Sequence, residues 1–198
     1  MSKPIEIHPF PPILPPNATV MMLGTFPPKP EKRSMDFYYP NFQNDMWRIY
    51  GEIFFQDKHY FERKDCKGFD PDKILQMLHN KGIALCPAVT KAIREQDNAS
   101  DKFLTIVEKV DLKAMLAQVP QCQWLFTTGG KATDILLELL PEKVKSPKTN
   151  EWIDYPFPEF SGLKLYRLPS TSRAYPLSFE KKVAAYRAFF VQAGLIEA

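Results

Sequence analysis

Nine consecutive residues decide the fold of this chain: Val20-Met21-Met22-Leu23-Gly24-Thr25-Phe26-Pro27-Pro28. The first four are apolar without interruption, which predicts a buried strand that stops at a glycine turn. The next distinctive segment, Phe37–Trp47, is rich in aromatic side chains and contains the carboxamide of Asn44. Because open α/β folds bind their ligands beyond the carboxyl ends of the strands, we expect the functional site at this turn.

Three further apolar runs also predict strands, which gives four in all: Thr19–Leu23, Gly82–Leu85, Gln123–Thr127 and Leu163–Leu168. Between and after them, apolar residues recur at intervals of three and four, which predicts amphipathic helices. Two of these helices have strong N-cap residues, Asp70 before Pro71 and Ser178. Strands that alternate with helices favour a mostly parallel sheet covered on both faces. We therefore predict an α/β fold, a three-layer α/β/α sandwich around a central, mostly parallel four-stranded sheet.

The length and composition of the chain indicate one domain. Its 198 residues fit a single unit, residues 1–198, with one hydrophobic core. Ten of the 19 prolines lie in the first 40 residues, and those before Ala18 predict an extended Pro-rich arm over about residues 1–17. No apolar stretch approaches the ~20 residues that cross a bilayer, and Met1–Glu6 lacks the apolar core of a signal peptide. We therefore expect a cytoplasmic protein.

Cysteines, histidines and charge exclude several classes of site. The three cysteines are widely spaced and odd in number, which argues against a disulfide framework, a closed zinc site and a four-cysteine iron–sulfur cluster. The histidines lack metal-ligand spacing, and we expect each at the surface or in packing: His8, His59 and His79. The net charge of +3 permits nucleic-acid binding but does not indicate it.

Four segments, in order along the chain, resemble the uracil-DNA glycosylase superfamily, most closely its mismatch-specific and deoxyinosine (hypoxanthine) branches. They are the strand that ends in Gly24–Pro27, the aromatic segment Phe37–Trp47, Gly82–Val89 with Arg94-Glu95, and Leu168–Ser172. The resemblance covers nearly the whole chain. It implies the same α/β/α fold, DNA containing a damaged or deaminated base as the partner, and hydrolysis of the N-glycosidic bond without metal or cofactor.

The resemblance also implies a base pocket, which we expect to consist of Gly24, Thr25, Phe26, Pro27, Phe37 and Tyr38. Gly24 lets the backbone approach a base closely because it has no side chain. Phe37 or Tyr38 is expected to stack on a flipped base, since aromatic faces serve as platforms for bases. The neighbouring Tyr39 is expected to be a packing residue.

Asn44 is the residue that we expect to carry the reaction. Cleavage builds positive charge on the sugar and negative charge on the leaving base, so the site needs a group that places water and donors for the anion. In the superfamily an Asp or Asn just after the first glycine often places the water, and here Phe26 fills that position. The deoxyinosine branch also lacks this group, and the resemblance implies that Asn44 replaces it. The alternative is that Asn44 caps the helix that begins near Met46.

A hydroxyl-rich loop after the last strand is the expected contact with the DNA backbone. It consists of Ser170, Thr171, Ser172 and Arg173, which combine small hydroxyl groups with a cation. In the superfamily this loop grips the backbone and fills the gap left by the extruded nucleotide. Lys131, at the start of a helix, is expected to meet a second phosphate.

The leading hypothesis is a monofunctional DNA glycosylase that acts as a monomer on hypoxanthine or uracil. Two alternatives are a catalytically silent nucleic-acid-binding relative and a small α/β enzyme that acts on free nucleosides. Departures from the pattern of the deoxyinosine branch leave the base preference and the activity itself open. Arg173 stands where that branch usually has Pro, and Cys86-Pro87-Ala88-Val89 lacks the acidic side chain of its Trp-Asp-Val. Two segments without an assigned element are candidate DNA-facing loops: Gln56–Asp70 and Pro141–Gly162.

Overall fold

The computed structural model describes residues 3–96 and 101–198. Within them the chain forms an α/β fold of eight strands and five α helices. Its strands are β1 Ile5–Ile7, β2 Val20–Gly24, β3 Ile83–Pro87, β4 Val89–Arg94, β5 Leu104–Lys109, β6 Trp124–Thr128, β7 Glu151–Asp154 and β8 Lys164–Leu168. Its helices are α1 Met46–Phe55, α2 Pro71–Lys81, α3 Leu112–Ala117, α4 Gly130–Leu137 and α5 Phe179–Gln192.

The main sheet has five strands in the order β3-β2-β6-β8-β7. Strands β3, β2, β6 and β8 are parallel and correspond to the four predicted strands, with bounds that differ by no more than two residues. The fifth strand, β7, pairs antiparallel with β8 at the sheet edge and corrects the prediction of a four-stranded sheet. Three of its four residues are exposed, so no buried apolar run marks it in the sequence. It lies within Pro141–Gly162.

Side chains of the parallel strands alternate between two hydrophobic cores. Val20 and Met22 of β2 face one side, where α1, α2 and α5 pack, while Met21 and Leu23 face the other, where α3 and α4 pack. All four of these side chains are fully buried. Both faces of the sheet are therefore covered, which explains why its strands are continuous apolar runs rather than alternating ones.

A second, antiparallel sheet of three strands, in the order β1-β4-β5, packs against the second core. The sequence pattern indicates neither β4 nor β5. Only Ala88 separates β4 from β3, β4 mixes buried and partly buried positions, and β5 includes exposed ones. The Pro-rich arm contributes β1, whose Ile5 pairs with Ile93 of β4. The arm is thus tied to the domain by a strand.

Two helix starts agree with the predicted caps. The Asp70 carboxylate accepts hydrogen bonds from the backbone N–H groups of Asp72 and Lys73, and the Ser178 hydroxyl accepts one from Lys181. None of the helices in residues 3–96 and 101–198 is long and apolar enough to cross a membrane.

Candidate active site

A cavity of about 670 Å³ lies at the carboxyl ends of the four parallel strands. Each of these strands, or the turn directly after it, contributes to the wall: Gly24 of β2, Pro87 of β3, Thr128 of β6 and Ser170 after β8. The volume of the cavity is in the range of small-ligand pockets in proteins. The parallel sheet thus brings together segments that lie up to 146 residues apart, as Gly24 and Ser170 do.

The floor of the cavity contains a close approach between Gly24 and Tyr39. A Cβ atom added to Gly24 would lie 2.7 Å from the Tyr39 Oη, closer than real Cβ contacts. The same hydroxyl lies 3.2 Å from the Thr128 Oγ1. Tyr39 itself has a left-handed backbone with φ of 51°, which is uncommon for an aromatic residue. A side chain at position 24 would therefore displace the Tyr39 hydroxyl. Tyr39 packs on the first core, as expected, and also lines the cavity.

One side of the cavity is aromatic and consists of His8, Phe26 and Tyr38, which we call the aromatic wall. The His8 ring centroid lies 5.3 Å from that of Phe26 in an edge-on arrangement and 5.4 Å from that of Tyr38. The Tyr38 hydroxyl donates to the Pro11 carbonyl at 2.9 Å, so it is anchored to the arm. Burial raises the pKa of Tyr38 well above its usual range.

The remaining expected pocket residues separate into two groups. Thr25 and Pro27 line the cavity. Phe37 lies outside the lining and packs on the first core, with its ring 5.8 Å from Tyr38 and 6.0 Å from Trp47. Of the two aromatics considered for stacking, only Tyr38 borders the cavity.

Asn44 lies at the junction of the cavity and helix α1. Its Oδ1 accepts a hydrogen bond of 2.9 Å from the backbone N–H of Met46, so the carboxamide does hold the start of the helix. Asn44 is half-buried and lines the cavity at the same time. Since the helix occupies one lone pair of Oδ1, the Nδ2 donor and the second lone pair of Oδ1 remain for another partner. The two expectations for Asn44 are thus compatible.

The hydroxyl-rich loop is fixed by charges and by helix α5. Arg173 donates from Nε to the Asp45 Oδ1 at 3.0 Å and from one terminal nitrogen to the Gln43 Oε1 at 3.0 Å. Two residues of helix α5 also hold the loop: the buried Lys182 donates to the Ser172 carbonyl at 2.8 Å, and the Tyr186 hydroxyl donates to the Pro169 carbonyl at 3.0 Å. Burial lowers the pKa of Lys182, with Asp45 opposing this shift.

We call Asn44 and the loop Ser170–Arg173 the polar wall. The two parts are joined by a backbone hydrogen bond of 3.0 Å from the Asp45 N–H to the Thr171 carbonyl. Thr171 is 2% exposed, whereas the Ser170 and Ser172 hydroxyls accept backbone N–H groups two residues later in the loop. The loop is therefore ordered by its own turns before any ligand binds.

The mouth of the cavity is exposed and positively charged. Its exposed lining residues are Gln43, Lys102, Arg173 and Ala174. Among the side chains that the structure describes, the lining contains no carboxylate. Lys131 lies outside the lining, partly exposed, and has no ion pair with any described residue. Within residues 3–96 and 101–198, no group of three or more His, Cys, Asp or Glu side chains is placed to hold a metal ion.

Sequence reasoning located most of the cavity but missed His8 as one of its members, because this residue was expected only at the surface or in packing. It also missed Lys182, which lies outside the lining and supports the loop from α5. Lys182 has no local motif that could reveal this contact. The two candidate DNA-facing loops do not border the cavity: Gln56–Asp70 follows α1 and supplies Glu62, which binds Arg48 at 2.6 Å, and Pro141–Gly162 contains β7.

Comparison with known proteins supports the description of the fold. No family model and no curated protein matches the chain. Among solved structures, the chain is similar to the solution NMR structure of a "putative Uracil DNA glycosylase" from Methanosarcina acetivorans. The TM-score is 0.67, the sequences are 22% identical, and the match covers 96% of this chain and 99% of that chain. The chain therefore has the fold of that protein over almost its full length.

Proposed function

We propose that this chain is a DNA glycosylase of the uracil-DNA glycosylase superfamily. The observation that carries the proposal is the cavity, which brings Gly24, Tyr38, Asn44 and the hydroxyl-rich loop to one sheet edge. These are the segments on which the sequence resemblance rests, and they lie far apart in the chain. The shared fold with a protein described as a "putative Uracil DNA glycosylase" supports the same proposal.

The reaction that fits this site is hydrolysis of the N-glycosidic bond of a deaminated base, hypoxanthine or uracil. The aromatic wall offers faces for an extruded base, as in other enzymes that take a base out of the stack. The Nδ2 of Asn44 is a donor that can stabilise the negative charge that develops on the leaving base. The remaining lone pair of its Oδ1 can orient a water molecule toward the sugar. The reaction then depends on stabilising the leaving base rather than on a general base.

The positive mouth fits a DNA strand rather than a free nucleoside. Arg173 and Lys102 border the opening, and Lys131 lies nearby on α4 without a described ion pair. Phosphate groups on either side of an extruded nucleotide would meet these cations. A closed pocket without exposed cations would instead favour the enzyme of free nucleosides.

A catalytically silent DNA-binding relative remains the second candidate. It is favoured by Phe26, which fills the position where the superfamily often has a water-placing residue, and by a lining without a described carboxylate. Both candidates bind lesion DNA, and only the first one releases a base. One experiment therefore separates them.

The experiment uses duplex oligonucleotides that carry uracil, hypoxanthine or xanthine, followed by alkaline cleavage at abasic sites. A glycosylase converts at least one of them to an alkali-labile product, and the wild-type protein without alkali leaves the strand intact. Borohydride added during the reaction tests the monofunctional assignment, because a Schiff base with Lys102 would be trapped as a covalent complex. Binding without any product on all three duplexes would favour the silent relative, and no preferential binding would refute both.

A further inference from the structure

His8 is the one residue of the aromatic wall that carries polar ring atoms able to both donate and accept. It lies on the Pro-rich arm next to β1, and its backbone N–H donates to the Thr90 carbonyl at 2.8 Å. Its ring is enclosed by three aromatic rings, those of Phe10, Phe26 and Tyr38, with centroids 5.3 to 5.8 Å away. The imidazole of His8 therefore lines the cavity in an orientation that these contacts fix.

The two nitrogens of this ring have different surroundings. Nδ1 lies 3.1 Å from the Phe10 carbonyl oxygen and 3.3 Å from the Phe10 backbone nitrogen. Either tautomer is thus satisfied at Nδ1 by the backbone of Phe10. Nε2 has no hydrogen-bond partner among the described residues, and it is not one of the buried atoms without a partner. Nε2 consequently keeps an accessible surface in a residue that lines the cavity.

The surroundings also keep the ring uncharged. Burial lowers the pKa of His8 to about 4, against a smaller opposing effect of the Phe10 backbone hydrogen bond, and the positive charge of Arg33 adds to the lowering. At neutral pH the ring therefore offers a single group at Nε2, either one N–H donor or one lone pair.

We propose that His8 forms a hydrogen bond through Nε2 with the edge of the extruded base and so selects bases that carry a ring carbonyl next to a ring N–H. This inference rests on the proposed function. Deamination replaces an exocyclic amino group by a carbonyl and turns the adjacent ring nitrogen from an acceptor into an N–H donor. Hypoxanthine, xanthine and uracil share this lactam edge, whereas adenine and cytosine have its inverse.

The selection depends on which tautomer the ring holds. The Phe10 carbonyl oxygen lies nearer to Nδ1, at 3.1 Å, than the Phe10 backbone nitrogen at 3.3 Å, which favours a proton on Nδ1 and a lone pair on Nε2. Nε2 then accepts from the lactam N–H and would face the lone pair of the parent ring nitrogen. The parent base leaves this polar pair mismatched, and mismatched polar groups in a pocket cost about a factor of 10 to 100 in affinity.

The test compares His8→Phe with the wild-type protein on three otherwise identical duplexes, which carry hypoxanthine, adenine or a tetrahydrofuran abasic-site analogue at one position. Phe keeps the ring contacts with Phe26 and Tyr38 but removes both nitrogens. We expect His8→Phe to bind hypoxanthine DNA about 10- to 100-fold more weakly in an anisotropy titration, with unchanged binding to the abasic analogue, which has no base to read. His8→Gln, which restores a donor and an acceptor, should recover part of the loss.

A control variant and the behaviour of the wild-type protein keep the outcomes separate. His79→Phe replaces an exposed histidine on α2, away from the cavity, and should change none of the three affinities. If the wild-type protein releases no base from hypoxanthine or uracil duplexes, the proposed function itself fails. Release of a base without a binding preference for hypoxanthine over adenine or for uracil over cytosine overturns only the inference. If the wild-type protein prefers hypoxanthine but His8→Phe loses affinity equally on all three duplexes, or loses none, His8 does not read the base and the inference is overturned.

Discussion

The two walls of the cavity are built by different physical means. The aromatic wall of His8, Phe26 and Tyr38 is held by ring contacts and by hydrogen bonds to backbone groups. The polar wall is held by charges, because Arg173 is bound to Asp45 and Lys182 to the loop carbonyl of Ser172. A neutral aromatic wall suits an uncharged base, and a wall with fixed dipoles and cations suits the sugar, the phosphates and the developing charge. Under the proposed function, base choice and chemistry are therefore expected to be divided between the two sides.

The largest expected effect concerns the polar wall. Asn44→Ala should lower turnover by 10²-fold or more, about 2.7 kcal/mol or more of transition-state stabilisation, because it removes the Nδ2 donor. Single-turnover excision on the preferred lesion duplex measures this effect. Asn44→Asp is the matched control, since a carboxylate still accepts the Met46 N–H and caps the helix but cannot donate. Thermal unfolding should place Asn44→Asp near the wild type, and its turnover should fall as in Asn44→Ala. A destabilised Asn44→Ala that keeps full turnover per folded molecule would reduce Asn44 to a cap.

The next effect concerns the aromatic wall and pH. The pKa of His8 is about 4 in the folded state and close to 6.5 in the unfolded chain. As the pH falls from 6.5 toward 4, the unfolded state takes up a proton that the folded state does not, so stability falls in this window. The loss from this group is expected to be about 1 to 3 kcal/mol. Urea unfolding of wild type and His8→Phe at pH 7 and pH 4.5 checks it, and an equal loss in both proteins would assign the pH dependence to other groups.

A smaller effect is expected at the close contact between Gly24 and Tyr39. Gly24→Ala places a methyl group 2.7 Å from the Tyr39 Oη, so the ring must move from its place beside Thr128. We expect about a tenfold loss of affinity for lesion DNA. The double variant Gly24→Ala with Tyr39→Phe removes the clashing oxygen and should bind more tightly than Gly24→Ala alone. Strictly additive losses in this cycle would show that the two residues are not coupled.

The smallest effect concerns salt and distinguishes the two cations of the DNA-facing side. Lys131→Ala should lower the slope of log affinity against log salt by roughly one unit, since each phosphate contact contributes about that much. Arg173→Ala should change the slope less and lower the melting temperature more, because its charge is already paired with Asp45. Anisotropy titrations from low to moderate salt measure both slopes. A larger change for Arg173→Ala would mean that this side chain leaves Asp45 for the DNA.

Much of the fold could be predicted because its buried strands are local apolar runs. Val20–Leu23 is buried on both faces, so four apolar residues in a row mark it without any knowledge of its neighbours. Strand β7 could not be found in this way, because it is an exposed edge strand that is stabilised by pairing with β8. Strand β1 could not be predicted either, because it lies in the Pro-rich arm and its pairing partner β4 is more than 80 residues later in the chain.

The sequence predicted those residues of the candidate site that lie at or near the carboxyl ends of the parallel strands. Gly24, Tyr38, Asn44 and Ser170 line one cavity because parallel strands bring their carboxyl ends to the same edge. Phe37 is adjacent to Tyr38 in sequence, but its ring packs on the first core. The local pattern of three consecutive aromatics cannot tell which ring faces the cavity, since this depends on the left-handed turn at Tyr39.

The sequence by itself determined the α/β class, the four parallel strands and the edge of the sheet where a site can form. These properties depend on apolar periodicity and turn residues, which act over a few positions. Only the tertiary structure decided that His8 enters the cavity, that Arg173 binds Asp45 and that Lys182 supports the loop from α5. Such contacts join residues separated by up to 128 positions, as for Asp45 and Arg173. Their partners are selected by the packing of the whole chain, because burial and charge pairing depend on which atoms are brought together in space.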